Sequence, residues 1–392
     1  MTQDTATGSI TLEWLAVQRK NFNATPVRVL AQNAMVNTEM VKVLTKRELV
    51  PSYTHDYSVK VAIEGKATNQ QSTGRCWLFA ACNMIRLEMM KNHKLADDFE
   101  LSQTYLFFHD KLERVNFLLE NILNTMDEDT DSRLIQHFLN NPLEDGGQYD
   151  MFVNIVEKYG LVPKSVYPEV VTTKSSVHLN RMLNKKVREY CCRLRSEYKQ
   201  TGGNMAQCRE MKDTFMTQVY NVLSIHFGPL PTTFSWTFHN KDKAFTRYDN
   251  LTPLSFYRTH TGINVNDYIS LINDPRNAYN TTYTDLVYGE GVAPAMDKAD
   301  RLRYKASLMT HAMLFTGCDV PVEGELPTKY RVENSWGDKL GDKGYHIMTA
   351  DWFKEFVYQI VVHKSQLEDE QVPALTATPS VLPPWDPMGT LA

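Results

Sequence analysis

Apolar residues recur at helical spacing over several stretches in the first two thirds of the chain. From Cys76 to about residue 94 they form a stripe typical of a buried helix. A second helix is predicted over residues 102–124, where Ser102 can cap the first turn. A third is predicted from Tyr149 to Tyr159, because Gly160 follows it directly. Residues 175–228 predict a charged helical layer.

The pattern changes near residue 296, where short apolar runs alternate with glycine-containing turns. SLMTHAMLFTGCD, KYRVENSWG, KGYHIMT and EFVYQIVVH predict four successive strands. Residues 229–295 mix Thr, Tyr, Asn and Pro and give no clear assignment. Helices therefore come first and strands last, which predicts an α+β fold with an active site between two lobes.

Composition narrows the function only slightly. The chain of 392 residues is 42% hydrophobic and 22% charged, with a net charge of −4, so no overall basic field favours nucleic acid. No apolar run reaches the roughly 18 residues of a membrane span. The N-terminal sequence lacks the pattern of a secretory signal, which predicts a cytoplasmic protein.

The six cysteines are too sparse for a disulfide scaffold, and none has the C-x-x-C spacing of a zinc site. We therefore expect reduced thiols, no metal and no cofactor. A functional cysteine in this chain is therefore expected to act through the reactivity of its thiol.

Cys76 follows the polar loop NQQSTGR and opens the first predicted helix. Unpaired N–H groups and the positive end of the dipole at a helix N-terminus favour a thiolate, which is a strong nucleophile. The alternative is a buried, inert cysteine. We prefer that alternative for Cys82, which lies further inside the same helix, but not for Cys76.

A nucleophilic thiol needs a base and a group that orients it. His311 lies in a strand-like apolar run, where a polar residue needs a reason to be present. Asn334 lies in RVENSWG and can fix the histidine tautomer, while Trp336 can cover that bond. His311 alone is as consistent with a core histidine as with a catalyst. The order Cys, His, Asn favours catalysis.

Gln70 lies six positions before Cys76. Its amide can join the Cys76 backbone N–H in binding an oxyanion. A glutamine in a loop is more often solvated, and Gln71 is the competing candidate.

QSTGRCW, DGGQ, LMTHAM and VENSWGDKLGDKGY resemble the papain-like cysteine peptidases, and among them the bleomycin hydrolase branch. The papain pattern C-G-[SA]-C-[WY] reads Thr73-Gly74-Arg75-Cys76-Trp77 here. Thr73 replaces the cysteine that secreted members use in a disulfide. The substitution suits a reducing compartment.

The resemblance implies a two-lobe papain-like fold with helical insertions, divided into five segments. These are residues 1–52 (N-terminal helices), 53–170 (helical lobe with the nucleophile), 171–295 (helical or hook-type insertion), 296–372 (β lobe with His311 and Asn334) and 373–392 (a tail in the cleft).

The resemblance also implies a homohexameric ring that hydrolyses peptide or amide substrates as an aminopeptidase. The terminal carboxylate on Ala392 would block one side of the cleft, and Gly146 and Gly147 would line its wall. Some members bind nucleic acid, for which the composition of this chain gives no independent support.

One stretch departs from the family pattern. GEGVAPA, ahead of His311, stands where the family has another strand and a polar loop. Loss of that strand predicts an unpaired sheet edge beside the histidine. The shortening therefore leaves open a catalytically impaired ring or scaffold protein. A papain-like endopeptidase also stays open, if the tail is not docked in the cleft.

Overall fold

The computed structural model describes residues 8–45, 47–48, 50–272, 296–379 and 381–391. The chain forms two units, one of residues 1–55 with 275–301 and the other of residues 56–274 with 302–392. The described helices of the first unit are α1 (Leu12–Asn23), α2 (Pro26–Asn37) and α3 (Met40–Leu44). None of these three helices contains a buried residue.

The second unit holds the main core, which is built largely from helices. These are α4 (Cys76–His93), α5 (Gln103–Asn124), α6 (Arg133–Asn140), α7 (Tyr149–Tyr159), α8 (Val171–Lys174), α9 (Val177–Gln200), α10 (Met205–Phe227) and α11 (Pro253–His260). After residue 295 come α12 (Lys298–Arg303), which crosses the boundary between the units, and α13 (Ala350–Phe356).

The predicted helices around the nucleophile are confirmed. Ser102 caps α5 by accepting a hydrogen bond from the Tyr105 N–H at 3.1 Å. Helix α7 ends at Gly160, which has a φ of +76° and whose N–H donates to the Val156 carbonyl. The region 175–228 is helical, as α9 and α10.

The strands of the second unit form three antiparallel sheets. They are β1 (Val59–Lys60), β2 (Phe234–His239), β3 (Phe245–Leu251), β4 (Tyr268–Ile272), β5 (Leu314–Asp319), β6 (Lys329–Glu333), β7 (Tyr345–Thr349) and β8 (Gln359–His363). The largest sheet has the order β1-β5-β6-β7, while β2 pairs with β3 and β4 pairs with β8.

Two predictions about the strand-rich half need correction. His311 lies in an irregular segment ahead of β5, and Asn334 lies just beyond the last residue of β6, so neither is within a strand. EFVYQIVVH is not one strand either, because its first residues end α13 and only Gln359–His363 are extended. The apolar pattern of these runs indicated strands but not where each strand begins or ends.

The strand that follows His311 is not the unpaired edge that the sequence predicted. Strand β5 pairs with β6 on one side and with β1 on the other, in the register Val59 with Cys318 and Lys60 with Gly317. The N–H of Val61 extends this pairing by donating to the Thr316 carbonyl at 2.9 Å. Residues well before the nucleophile thus cover the edge of β5. The stretch GEGVAPA itself lies outside the described residues.

Candidate active site

Cys76 is the first residue of α4 and is 2% exposed. Burial raises the pKa of its thiol, and hydrogen bonds from the backbone N–H groups of Ala312, Trp77 and Cys76 itself oppose that rise without cancelling it. Two of these donors are the unpaired groups of a helix N-terminus that the sequence predicts. The third comes from the residue after His311, so the fold brings that segment directly to the sulfur.

His311 is held by Asn334. The Nε2 atom of His311 lies 2.8 Å from Oδ1 of Asn334, and the Ser335 N–H donates to the same oxygen at 2.8 Å. Because that oxygen accepts from Ser335, Nε2 must carry the proton it shares with Asn334. In the neutral ring the other nitrogen, Nδ1, is then the basic one.

The environment of His311 disfavours its charged form. Burial lowers the pKa of the imidazole, and the hydrogen bond that Nε2 donates to Asn334 partly opposes that change. The indole of Trp336 stacks on the ring, with centroids 5.0 Å apart and planes at 26°. Trp336 is itself half exposed, so it forms one wall between His311 and solvent.

The structure therefore brings Cys76, His311 and Asn334 into one site. Backbone N–H groups at the sulfur lower the pKa of the Cys76 thiol, and the imidazole of His311 is bonded to Asn334. Both ionisable groups are shifted toward their neutral forms, so a proton moving from sulfur to Nδ1 creates two charges that stabilise each other.

Gln70 is buried and tied to the asparagine loop. Its Oε1 accepts from the Ser335 hydroxyl at 2.6 Å, and its Nε2 donates to the Thr73 carbonyl at 2.5 Å. An amide nitrogen carries two hydrogens, so one remains available. Gln71 is exposed, with a φ of +57°, which favours Gln70 over its neighbour as the oxyanion donor.

The glycine pair of DGGQ borders the nucleophile helix. A Cβ on Gly147 would lie 2.5 Å from the indole of Trp77, so a side chain cannot fit there. The carbonyl of Gly146 accepts a hydrogen bond from Arg114. Packing against Trp77 thus explains the glycine at 147 without reference to substrate.

Asp145, which precedes the glycine pair, anchors the nucleophile loop. Its backbone carbonyl accepts from Trp77 Nε1 at 2.8 Å, and its side chain accepts from the Gly74 N–H at 3.2 Å. The carboxylate also takes bonds from Lys111 Nζ at 2.6 Å, from Asn180 and from Ser176. Burial would raise the pKa of Asp145, but Lys111 and these hydrogen bonds outweigh it and lower the pKa to about 2.

The C-terminal tail contacts the same region. Trp385 lies under the guanidinium of Arg133, 4.0 Å from ring centroid to Cζ. Gln148, which follows the glycine pair, donates from Nε2 to the carbonyls of Thr390 at 2.8 Å and Met388 at 3.3 Å. Ala392, which the family resemblance places in the cleft, lies outside the described residues.

Sequence reasoning missed three participants: Asp145, Lys111 and Gln148. Asp145 and Gln148 flank the glycine pair in EDGGQ, so polar residues on either side of a cleft glycine were an available signal. Lys111 lies in a predicted apolar helix face, where a buried lysine requires a partner. No local pattern identified that partner.

Other site chemistries receive no support from the described part of the chain. No three His, Cys, Asp or Glu side chains there converge as metal ligands. No described helix has the length and apolar character needed to span a membrane. All six cysteines are unpaired.

Comparison with known proteins gives consistent matches over nearly the whole chain. The family model described as "Peptidase C1-like family" matches residues 9–292 and 288–389. Human bleomycin hydrolase is 37% identical over 449 positions, covering 97% of this chain and 98% of the relative. Aminopeptidase C of Streptococcus thermophilus is 35% identical, with 92% and 94% covered. The crystal structure of PepW from Lactobacillus rhamnosis superposes with a TM-score of 0.88 at 34% identity, covering 98% and 100%.

The same comparisons confirm the shortening ahead of His311. The alignment with the human protein spans 449 positions, which exceeds the 392 residues of this chain, so the relative has residues that this chain lacks. The two family-model segments meet at residues 288–292, within and beside GEGVAPA.

Replacing Asp145 with Asn tests the anchor of the nucleophile loop. The substitution leaves the ammonium of Lys111 buried without its counter-charge, so we expect the free energy of unfolding at pH 7 to fall by about 3 kcal/mol or more. Asp249→Asn, in the exposed pair with Arg247, is the control and should cost under about 1 kcal/mol. Urea denaturation measures both.

The pH dependence follows from the lowered pKa of Asp145. A carboxyl with a depressed folded-state pKa stabilises the fold above its ordinary value of 3.8 and loses that contribution as pH falls toward about 2. The stability difference between wild type and D145N should therefore shrink over that interval. Equal losses for the Asp145 and Asp249 variants at pH 7 would contradict the assignment.

Proposed function

The chain belongs to the Peptidase C1-like family of papain-like cysteine peptidases, and we propose that it is an aminopeptidase with Cys76 as nucleophile, His311 as general base and Asn334 as the residue that orients His311. These roles rest on one observation: the segment formed by His311 and Ala312 connects the Cys76 sulfur to Asn334. The backbone N–H of Ala312 lies at the Cys76 thiol and lowers its pKa, while the preceding residue, His311, is bonded to Asn334.

The reaction begins when the thiol of Cys76 gives its proton to Nδ1 of His311. The thiolate attacks the carbonyl carbon of the scissile bond, and the carbonyl oxygen becomes an oxyanion. The backbone N–H of Cys76 and the remaining N–H of Gln70 donate to that oxyanion. The imidazolium then protonates the leaving amine as the carbon–nitrogen bond breaks, which leaves a thioester on Cys76.

Hydrolysis of the thioester reverses these roles. His311 takes a proton from water, and the resulting hydroxide adds to the thioester carbonyl. The carbon–sulfur bond breaks, the carboxylic acid product leaves and the proton returns to sulfur. Asn334 keeps Nε2 as the protonated nitrogen throughout.

Replacing Cys76 with Ala tests the nucleophile. Hydrolysis of aminoacyl reporter amides should fall by about 10⁴-fold or more, because no other group can form the thioester. Cys82→Ala is the matched control: Cys82 lies in the same helix and is fully buried, and that variant should keep activity near wild type. Retained turnover in C76A would refute the proposed mechanism.

The restriction to N-terminal cleavage is assigned to the C-terminal tail. Support comes from the contacts of Gln148 with Met388 and Thr390, which dock the tail beside the glycine pair. A carboxylate at the end of a docked tail would block the cleft and pair with the α-amine of a substrate. The names of the relatives, aminopeptidase C among them, agree with this mode.

Deleting Gly389–Ala392 tests the tail as a steric stop. We expect cleavage of N-blocked peptides to rise relative to peptides with a free amine, because the blocked side of the cleft opens. Arg133→Ala, which removes only the contact with Trp385, should shift the ratio in the same direction but less. An unchanged product pattern after the deletion would show that the tail does not impose the restriction. If the wild type also cleaves N-blocked peptides, the result favours an endopeptidase.

The alternative of a catalytically impaired scaffold is not favoured. The site residues are present and held together. Relatives named bleomycin hydrolase and aminopeptidase C align with nearly the whole chain. The edge of β5 is also covered despite the shortening.

Assembly, location and segment boundaries belong to the proposal as well. The homohexamer is what the family resemblance implies, and exposed apolar side chains on α1 and α2, such as Leu12, Leu30 and Val36, support an interface between copies of the chain. Unpaired cysteines support a reducing, cytoplasmic location.

We keep the five-segment division of the sequence as the working description. Peptides and amides are the proposed substrates. The net charge of −4 gives no support for nucleic acid as a further partner.

A further inference from the structure

We propose that Arg86 and Glu333 form a positioning pair that fixes the nucleophile helix relative to the asparagine that orients His311. The inference rests on the proposed function, since it assigns the pair a role in that reaction. Glu333 is the last residue of β6 and directly precedes Asn334. Arg86 lies in α4, ten residues after Cys76, or about 15 Å along the helix.

The pair is sealed from solvent. The exposed fractions of the side chains are 1% for Arg86 and 0% for Glu333. Arg86 Nη2 donates to Oε1 of Glu333, and Asn83, one turn earlier on α4, donates from Nδ2 to the same oxygen at 2.9 Å. Two side chains of the nucleophile helix thus converge on one carboxylate oxygen.

The guanidinium of Arg86 is fixed by backbone groups as well as by Glu333. Its Nη2 also donates to the Lys66 carbonyl at 2.9 Å, and its Nη1 donates to the Phe99 carbonyl at 3.4 Å. A Cβ on Gly65 would lie 2.8 Å from Cζ of Arg86, so only glycine leaves room for the guanidinium. The Tyr345 hydroxyl fixes this loop by donating to the Gly65 carbonyl at 2.7 Å.

The geometry links this pair to the chemistry through one peptide bond. Any displacement of Glu333 moves Asn334, whose Oδ1 is 2.8 Å from His311. A misplacement of about 1 Å in a catalytic group can cost about 10²-fold in rate. A buried ion pair adds little net stability over an apolar pair of the same volume, so a positioning role accounts for its presence better than stability does.

The carboxyl of Glu333 also titrates in an unusual range. Burial and the nearby carboxylates of Glu64 and Glu100 raise its pKa, Arg86 lowers it, and together these effects raise the pKa to about 7. Asn83 and Arg86 face it from α4, and the phenol of Tyr345 faces it from β7. Its Oε2 has no hydrogen-bond partner among the residues described.

The direction of the pH effect follows from that raised pKa. Protonated Glu333 favours the fold, and this contribution is lost as pH rises through about 7. The charged tie to Arg86 strengthens over the same interval. We therefore expect kcat to gain an inflection near pH 7, with higher values on the alkaline side.

Replacing Glu333 with Gln tests the proposal, because glutamine keeps the shape and one acceptor oxygen but cannot ionise. We expect kcat for aminoacyl reporter amides to fall by about 10- to 100-fold, KM to change by less than about twofold and the inflection near pH 7 to disappear. Glu120→Gln is the matched control, since Glu120 on α5 pairs with Lys212 and Arg209 of α10 and not with α4 or β6. It should leave kcat, KM and the pH profile unchanged.

A second variant decides the case if E333Q does not fold. Asn83→Ala keeps the ion pair and removes one donor to Glu333, so kcat should fall severalfold at unchanged KM. Wild-type kcat and pH profile in a folded E333Q, or wild-type kcat in N83A when E333Q is unfolded, overturns the positioning role. In both cases the C76A variant tests the proposed function separately. If C76A is inactive, the proposed function is retained; if C76A is active, the proposed function itself is refuted.

Discussion

A thiol and an imidazole that are both buried cannot become charged independently, and the site is organised around that constraint. Burial raises the pKa of Cys76 and lowers the pKa of His311, so each group alone stays neutral. Charge separation becomes favourable only when the proton passes from one to the other at short range. The fold must therefore hold the start of α4 and the segment ahead of β5 in fixed register.

Several contacts provide this register, and they come from distant parts of the chain. The Ala312 N–H reaches the sulfur, while Gln70 bonds the Ser335 hydroxyl beside the asparagine. Asp145 ties the nucleophile loop to the helical layer through Gly74 and an ion pair. All of these groups are buried or nearly so, which makes each bond stronger and each loss more costly.

Much of the local structure was predictable because it depends on neighbouring residues. The start of α4 at Cys76, the Ser102 cap and the end of α7 at Gly160 all follow from local signals. The order of cysteine, histidine and asparagine was sufficient to select three residues that the fold brings together.

Contacts between distant residues were not predictable in the same way. The apolar runs around His311 and Asn334 predicted strands, but His311 lies in the irregular segment ahead of β5 and Asn334 lies just beyond β6. Outside the strands, both side chains can turn toward a partner. Glu333 and Arg86 are 247 positions apart, and neither has a local pattern that points to the other. The cover of β5 by β1 likewise joins segments that no periodicity connects.

The pH dependence of Cys76 alkylation tests the central claim most directly. A small neutral alkylating agent and peptide mass spectrometry give the rate at Cys76, with exposed Cys192 in the same digest as the internal reference. In the wild type, the account predicts that Cys76 reacts well below pH 9.0, the ordinary pKa of a thiol, because His311 takes its proton. His311→Ala should move the reaction of Cys76 above that pH and leave Cys192 unchanged. Identical Cys76 profiles in the two proteins would contradict the account.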